Sequence, residues 1–159
     1  MNFQKMNVVK LLQITLKVNN MTQKLILIRG VSGSGKTTLA KTLEMIPNSI
    51  SVCADDYFYT DGVYNWDVSK LHNAHKWCMY KTKQYFEIGY SNVIVHNTST
   101  SEKEIKPYQK IADDYGAELV SIIVENRHGN SSIHNVPEET LERQKFNILN
   151  SIKLDNYKG

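Results

Sequence analysis

The chain contains few of the residues that mark specialised classes of protein. Its 159 residues include two cysteines, three prolines and eight glycines. Low glycine and proline contents exclude collagen-like and low-complexity sequences, and we find no internal repeat. No apolar run approaches the roughly 18 residues that a membrane-spanning helix needs. We therefore expect one globular domain with a single sizeable core and no membrane partner.

The two cysteines, Cys53 and Cys78, form neither a CxxC pair nor a zinc-ligand spacing. They are typical of structural thiols in a reducing compartment. The N-terminus also lacks a compact apolar segment followed by a small-residue cleavage site. The sequence therefore predicts a cytoplasmic protein.

The positive charge lies at the N-terminal end. The formal net charge is +3, and residues 1–23 contain Lys5, Lys10 and Lys17 but no acid, so the remainder is neutral overall. A protein that coats DNA non-specifically normally carries a strong basic excess. The charge disfavours such a coat and leaves a local basic groove open.

Residues 1–20 differ in pattern from the rest of the chain. Apolar residues at 12, 14, 16 and 18 alternate with polar ones, which is a strand-like period, and an Asn-Asn pair ends this pattern before Met21. Met21 could be an ancestral start. We predict an N-terminal extension over 1–20, either a disordered tail or an edge strand, and one P-loop domain over 21–159.

From Lys24 onward, apolar runs alternate with helical patterns. The runs indicate strands at 25–28, 50–53, 93–95 and 119–124. Helical spacing covers 38–45, 67–88, 101–115 and the segment that begins near Pro137. In the third helix, Ser101 and Glu104 have the spacing of a capping box, and Gly116 suits the position after the last turn. This order predicts an α/β fold in which helices cover both faces of a parallel sheet.

The segment from Gly30 to Thr37 fits the P-loop pattern G-x-x-x-x-G-K-[ST] at every fixed position. Glycines let the backbone wrap around an anion, successive N–H groups form a nest for phosphate oxygens, and the next helix adds its positive end. Lys36 reaches the β and γ phosphates, and the Thr37 hydroxyl is placed to ligate Mg²⁺. We predict Mg-ATP binding, with nucleotide contacts from Gly30, Ser32, Gly33, Ser34, Gly35, Lys36, Thr37 and Thr38.

Further motifs follow the P-loop in a characteristic order. They are Ala54-Asp55-Asp56-Tyr57-Phe58, Gly62-Val63-Tyr64-Asn65-Trp66, Ala74-His75-Lys76-Trp77-Cys78, Val95-His96-Asn97-Thr98, Pro107-Tyr108 and His134-Asn135-Val136-Pro137. This order resembles the polynucleotide-kinase superfamily, in particular its small AAA-type ATPase and kinase domains. The resemblance covers about residues 24–150, and its most specific parts are the P-loop and the Asp-Asp-Tyr string.

The resemblance implies a P-loop NTPase fold and transfer of the ATP γ-phosphate to a hydroxyl, either the 5′-OH of a nucleic acid or that of a nucleoside. In that family the first acid of the pair is the general base, which corresponds to Asp55. A carboxylate at the carboxyl end of a parallel strand lies in the ligand crevice and can accept the proton of an attacking hydroxyl. Asp56 would support the water shell of the metal or cap a turn. The substrate contacts predicted at this level are Asp56, Tyr57, Asn97 and Thr98, with Lys36 and Asp55 as catalytic residues.

Two arginines are candidates for stabilising charge on the transferring phosphoryl group. Residues 126–130 lie where related kinases carry a lid over the phosphates, and Arg127 is the first candidate. Arg143 is the second, as a contact to the nucleotide. A solvated loop arginine is the alternative interpretation of Arg127.

The sequence departs from the family pattern after the third predicted strand. The family usually has Val-Asp-Asn-Thr-Asn there, whereas His96 and Ser99 replace the aspartate and the second asparagine. A neutral imidazole is a poor partner for Mg²⁺, which prefers oxygen ligands. Three hypotheses stay open: a kinase, an ATPase that drives a partner, and a catalytically impaired ATP-binding module. The aromatic residues between 57 and 66 either stack a base of single-stranded nucleic acid or form a hydrophobic lid.

Overall fold

A computed structural model describes residues 22–129, 131 and 135–153. Over these residues the chain forms six strands, four α-helices and two short 3₁₀ helices, the latter at Ala54–Phe58 and Val68–Lys70. In chain order the main elements are β1 Lys24–Arg29, α1 Lys36–Glu44, β2 Ser49–Val52, β3 Tyr59–Thr60, β4 Val63–Tyr64, α2 Leu71–Ile88, β5 Asn92–Val95, α3 Glu102–Tyr115, β6 Glu118–Ile123 and α4 Glu138–Asn150. The extension predicted over residues 1–20 lies outside the described residues.

Four strands form a parallel sheet in the order β2-β5-β1-β6. Strand β1 is central, and it pairs with β5 on one side and with β6 on the other. Strands of one sheet that run parallel need helical crossovers, which α1, α2 and α3 supply. The predicted α/β fold is confirmed.

Both faces of this sheet are covered by helices. Leu25, Leu27 and Val93 point to one face, where α2 and α3 contribute residues such as Phe86 and Ile111 to a large apolar cluster. Ile26, Ile28 and Ile94 point to the other face and pack against Ala40 of α1. The strand sequences are continuously apolar because neither face of the sheet is exposed to water.

The helices begin at other residues than the sequence predicts, α2 by four residues and the other three by one or two. Helix α1 begins at Lys36 rather than Thr38, because Gly35 in a left-handed conformation already closes the loop and accepts the first helical hydrogen bond, from Leu39. Helix α4 begins at Glu138, one residue after Pro137. Such differences place the P-loop lysine inside the first helical turn.

The sequence analysis missed a short antiparallel hairpin formed by β3 and β4, whose turn is Asp61-Gly62. Both turn residues have positive φ, 52° for Asp61 and 79° for Gly62, as a two-residue type I′ turn requires. The Asp-Gly pair was therefore an available signal for this hairpin.

The longest helix, α2, is amphipathic rather than apolar throughout. Its buried residues Ala74, Cys78, Thr82 and Phe86 recur at every fourth position, which is the spacing of one helix face. Within the described part of the chain, no helix has the length and apolarity needed to cross a membrane.

Candidate nucleotide-binding site

The P-loop connects the end of β1 to the start of α1, at the carboxyl edge of the sheet. Gly33 and Gly35 adopt φ values of 84° and 96°, which only glycine adopts without strain. Because Gly35 is the residue before the helix, the free N–H groups of the first turn face the end of the loop. This is the arrangement of an anion site at a helix N-terminus.

The first glycine of the loop is required by close packing rather than by its φ angle. A Cβ at Gly30 would lie 2.6 Å from Ser34 Oγ and 2.7 Å from the carbonyl oxygen of Val124. The Gly30 N–H donates a 3.1 Å hydrogen bond to the carbonyl of Thr98. The loop is therefore enclosed between the ends of β6 and β5. Ser34 is fully buried, and its hydroxyl has no hydrogen-bond partner among the described residues.

Lys36 is folded back over the loop. Its side chain donates a 2.8 Å hydrogen bond to the carbonyl of Val31, and the residue is only 8% exposed. Burial lowers the pKa of Lys36 to about 8, and the negative charge of Asp55 opposes this effect. A bound phosphate would place further negative charge beside the ammonium group and stabilise its charged form.

The remaining predicted contacts of the loop are more open to solvent. Thr37 and Thr38 are exposed at the start of α1. The Ser32 N–H donates a 2.9 Å hydrogen bond to Gln144 Oε1 of α4. This link joins the C-terminal helix to the phosphate loop, and no local motif around Gln144 could have indicated it.

Asp55 and Asp56 lie on the 3₁₀ helix that follows β2. Asp55 is partly buried, and its charge raises the pKa of Lys36 against the effect of burial, so the two predicted catalytic groups face the same region. Asp56 is exposed, and its carboxylate accepts a 2.8 Å hydrogen bond from the Cys53 N–H. Of its two predicted roles, Asp56 therefore performs the capping of a turn.

Asn97 is buried beneath this 3₁₀ helix. Its Oδ1 accepts a 2.7 Å hydrogen bond from the Ala54 N–H, and its amide group donates to the hydroxyl of Tyr108 at 3.1 Å. The structure thus gives both ends of the Asn97 amide internal partners. The predicted contact of Asn97 with substrate stays a prediction.

Three further residues lie near the carboxyl edge of the sheet: the predicted contacts Tyr57 and Thr98, and Arg29, which the sequence analysis missed. Tyr57 packs edge-on against Phe58 and Trp77, with ring centroids 5.5 and 6.1 Å away, so its ring contributes to the core. Thr98 contributes its backbone carbonyl to the P-loop. Buried Arg29 donates a 2.8 Å hydrogen bond to the carbonyl of Ser99 and so anchors the loop after β5.

The two candidate arginines lie at the periphery. The Arg127 side chain is 81% exposed and pairs with Glu125. Arg143 is exposed on α4, next to Gln144. Neither arginine forms a hydrogen bond or an ion pair with the P-loop among the described residues, and part of the predicted lid lies outside them. Their roles in charge stabilisation stay predictions.

A mixed set of donor atoms lies beside Thr37. The set consists of the sulfur of Cys53, a carboxylate oxygen of Asp56 and a ring nitrogen of His96, which all lie within 4.8 Å of one another. His96 Nδ1 is also 3.5 Å from Thr37 Oγ1. Burial lowers the pKa of His96, so the imidazole is neutral at neutral pH. Mg²⁺ prefers oxygen ligands, and the nitrogen and sulfur of this set do not fit it. The predicted Mg²⁺ contact of Thr37 therefore has no matching oxygen set in these three neighbours.

Comparison with known proteins gives relatives of the same architecture. Residues 25–144 match the family model described as an AAA domain. Human NEDD4-binding protein 2 is 41% identical over 92 residues, which are 57% of this chain but only 5% of that protein. The chain therefore spans a small fraction of this curated relative.

Solved structures share the fold at low identity. A chain of the Pnkp1/Rnl/Hen1 RNA repair complex has a TM-score of 0.64 and 18% identity, over 84% of this chain and 47% of its own length. A sugar kinase from Janibacter sp. HTCC2649 has a TM-score of 0.55 and 15% identity, over 84% of this chain and 81% of its own. At these identities the likeness concerns the fold alone.

Proposed function

Since the chain belongs to the AAA domain family and has a P-loop kinase-like fold, we propose that it binds ATP and transfers the γ-phosphate to a hydroxyl of a nucleic acid or a nucleoside. The observation that carries this proposal is the combination of a complete P-loop after β1 with Asp55 on the segment that follows β2, at the same edge of the sheet. The proximity of Asp55 and Lys36, evident from their electrostatic interaction, supports a common reaction site.

The chemistry divides between these groups. The loop N–H groups and Lys36 bind the triphosphate and stabilise charge on the oxygens of the γ-phosphate. Asp55 accepts the proton of the acceptor hydroxyl as its oxygen forms the new bond to phosphorus, and ADP leaves. Asn97 positions the segment that carries Asp55 through its hydrogen bond to the Ala54 N–H.

The surface near the site supports a nucleic-acid acceptor. Tyr59 and Trp66, which follow the Asp55 segment, are 58% and 56% exposed. Aromatic rings of this kind stack on the bases of single strands. Lys76 lies exposed in the second turn of α2 and would attract the phosphate backbone. One structural relative belongs to a complex described as an RNA repair complex.

A second candidate function is ATP hydrolysis that drives a partner, or ATP binding alone. His96 favours it, because a histidine at the end of β5 replaces the aspartate expected of kinases in this superfamily. In the first case water would accept the phosphoryl group, and in the second no phosphoryl group would be transferred.

The test is transfer of label from γ-labelled ATP to a mixed pool of 5′-hydroxyl oligonucleotides and nucleosides. We expect label on an acceptor with the wild-type protein and none with Lys36→Met. Asp55→Asn keeps the shape of the side chain but removes its ability to accept a proton. We therefore expect phosphoryl transfer to fall by about 10²- to 10⁴-fold, with little change in ATP affinity. Asp56→Asn is the matched control and should reduce transfer less.

Other outcomes overturn parts of the proposal. Release of free phosphate alone indicates an ATPase, and no turnover at all indicates a binding module. If Asp55→Asn transfers label as the wild type does and Asp56→Asn does not, the base has been assigned to the wrong member of the pair.

A further inference from the structure

The donor set of Cys53, Asp56 and His96 is fixed by the sheet. Strands β2 and β5 pair in parallel with Val52 opposite Val95, and the His96 N–H continues this ladder by donating to the carbonyl of Val52 at 3.2 Å. Cys53 and His96 are the next residues of the two strands, so they leave the sheet side by side. This register places a thiol and an imidazole together at the edge that also carries the P-loop.

A local hydrogen-bond pattern orients two of the three donors. Cys53 precedes the 3₁₀ helix Ala54–Phe58. The Asp56 N–H donates a 3.2 Å hydrogen bond to the Cys53 carbonyl and faces the Cys53 sulfur in a capping-box arrangement. In return, the Asp56 carboxylate accepts a hydrogen bond from the Cys53 N–H. These hydrogen bonds hold the thiol and the carboxylate in place, as hydrogen bonds to metal-ligating side chains do.

His96 is the third donor, and its surroundings leave the ring available. The residue is only 6% exposed. Among the described residues its ring has one polar contact, with Thr37 Oγ1 at 3.5 Å, which is at the long limit for a hydrogen bond. A buried imidazole normally has a closer partner, and a metal ion would supply one.

We propose that Cys53, Asp56 and His96 form a site for a transition-metal dication of the zinc or cobalt type, beside the Thr37 hydroxyl. One sulfur, one nitrogen and one carboxylate oxygen match the ligands of zinc and its neighbours rather than those of Mg²⁺. Ligand bonds of about 2.0 to 2.3 Å place the donors of a tetrahedral site roughly 3.3 to 3.8 Å apart. The three donor atoms here lie within 4.8 Å of one another, so metal binding requires side-chain shifts of about 1 Å. Binding releases the thiol proton to solvent as the sulfur–metal bond forms.

The location gives the ion a part in nucleotide binding, and this part rests on the proposed function. Thr37 carries the hydroxyl that contacts the nucleotide-bound metal ion in P-loop proteins, and it lies against His96. An ion held by the three side chains would thus be adjacent to the triphosphate oxygens. His96 stands where the superfamily usually has an aspartate, a ligand suited to Mg²⁺. This difference would then change the cation that the domain uses.

Titration of the nucleotide-free protein with Co²⁺ tests the site without reference to activity. We expect one ion per chain and a thiolate-to-cobalt charge-transfer band in the near ultraviolet. Cys53→Ser should abolish that band, and His96→Ala should weaken Co²⁺ binding at least about tenfold. Cys78→Ala is the matched control, because it removes the other buried thiol and should leave the band unchanged. Thermal unfolding of each variant without metal separates loss of binding from loss of fold.

A second variant tests the choice of cation. His96→Asp should lower the affinity for Co²⁺ and raise that for Mg²⁺, measured by calorimetry with and without ATP. The proposal is overturned if folded wild-type protein binds no Co²⁺, or if the band persists in Cys53→Ser. Failure of ATP to bind, with the band intact, would contradict the proposed function and leave the metal site standing.

Discussion

The burial of Lys36 destabilises the protein without nucleotide, and we expect a bound phosphate to reverse this effect. Burial lowers its pKa from 10.5 to about 8, so the folded state disfavours the charged form that phosphate binding requires. Below pH 8 the lysine is charged in both the folded and unfolded states, and the full penalty applies. Between about 8 and 10.5 the unfolded chain holds the proton that the folded chain releases, so the free energy of unfolding rises with pH.

Replacing this lysine with an uncharged side chain of similar length removes the penalty. We expect Lys36→Met to raise the free energy of unfolding of the nucleotide-free protein at pH 7 by about 1 to 3 kcal/mol. Urea unfolding at pH 7 and pH 10.5 measures it, and the gain should shrink at the higher pH. Lys41→Met, on the exposed side of the same helix and paired with Glu44, is the control and should not stabilise the protein. A Lys36→Met protein no more stable than the wild type at pH 7 would contradict this account.

Residues of the P-loop could be predicted because their whole motif is local. The pattern from Gly30 to Thr37 specifies the backbone shape and the phosphate contacts together. The link from Gln144 to Ser32 and the link from Asn97 to Ala54 could not be predicted, because these partners are 112 and 43 positions apart in the sequence. Only the assembled sheet and helices bring such pairs together.

At the level of elements, the site is formed by the segments that follow three strands of the sheet. β1 leads into the P-loop, β2 into the Asp55 segment, and β5 into His96 and Asn97. Asn97 connects the second and third of these through its hydrogen bond to the Ala54 N–H. Loss of that link should move Asp55, the proposed general base, without changing the phosphate loop.

Asn97→Ala tests this division. It leaves the buried Ala54 N–H without its partner, which costs about 1 to 3 kcal/mol of stability. We expect phosphoryl transfer to fall at least about tenfold while ATP affinity, measured by calorimetry, changes little. Asn92→Ala, which removes a 3.0 Å hydrogen bond to Ser49 at the opposite end of the same strand, is the matched control. Equal effects of the two variants on transfer would remove the positioning role.

Helix boundaries followed from local chemistry where a cap was present. The capping box of Ser101 and Glu104 is formed, and Gly116 ends α3 with a φ of 63°, both as the sequence predicts. The 3₁₀ helix Ala54–Phe58 was missed, since its residues lack helical periodicity and its cap uses a cysteine sulfur. Tertiary contacts with α2 and Asn97 stabilise that segment instead.

For the whole molecule, the described residues form a sheet with both faces covered, and we therefore predict that the nucleotide site does not depend on the N-terminal extension. We expect deletion of residues 1–20 to leave ATP affinity nearly unchanged and to shift Tm by only a few degrees. Differential scanning calorimetry of the two proteins with and without ATP measures both. A large fall in Tm would mean instead that the extension adds a strand to β2 or β6, the edges of the sheet.

The most direct test of the central claim, that this P-loop binds a nucleoside triphosphate through Lys36, is calorimetric titration of ATP into the wild type and Lys36→Met at pH 7 with a divalent cation. We predict one ATP per wild-type chain and a loss of about 10- to 100-fold in affinity for the variant, the equivalent of one charged hydrogen bond to phosphate. Because Lys36→Met is expected to be the more stable protein, unfolding cannot explain such a loss. Equal affinities of a folded variant and the wild type would contradict the assignment of this loop as the triphosphate site.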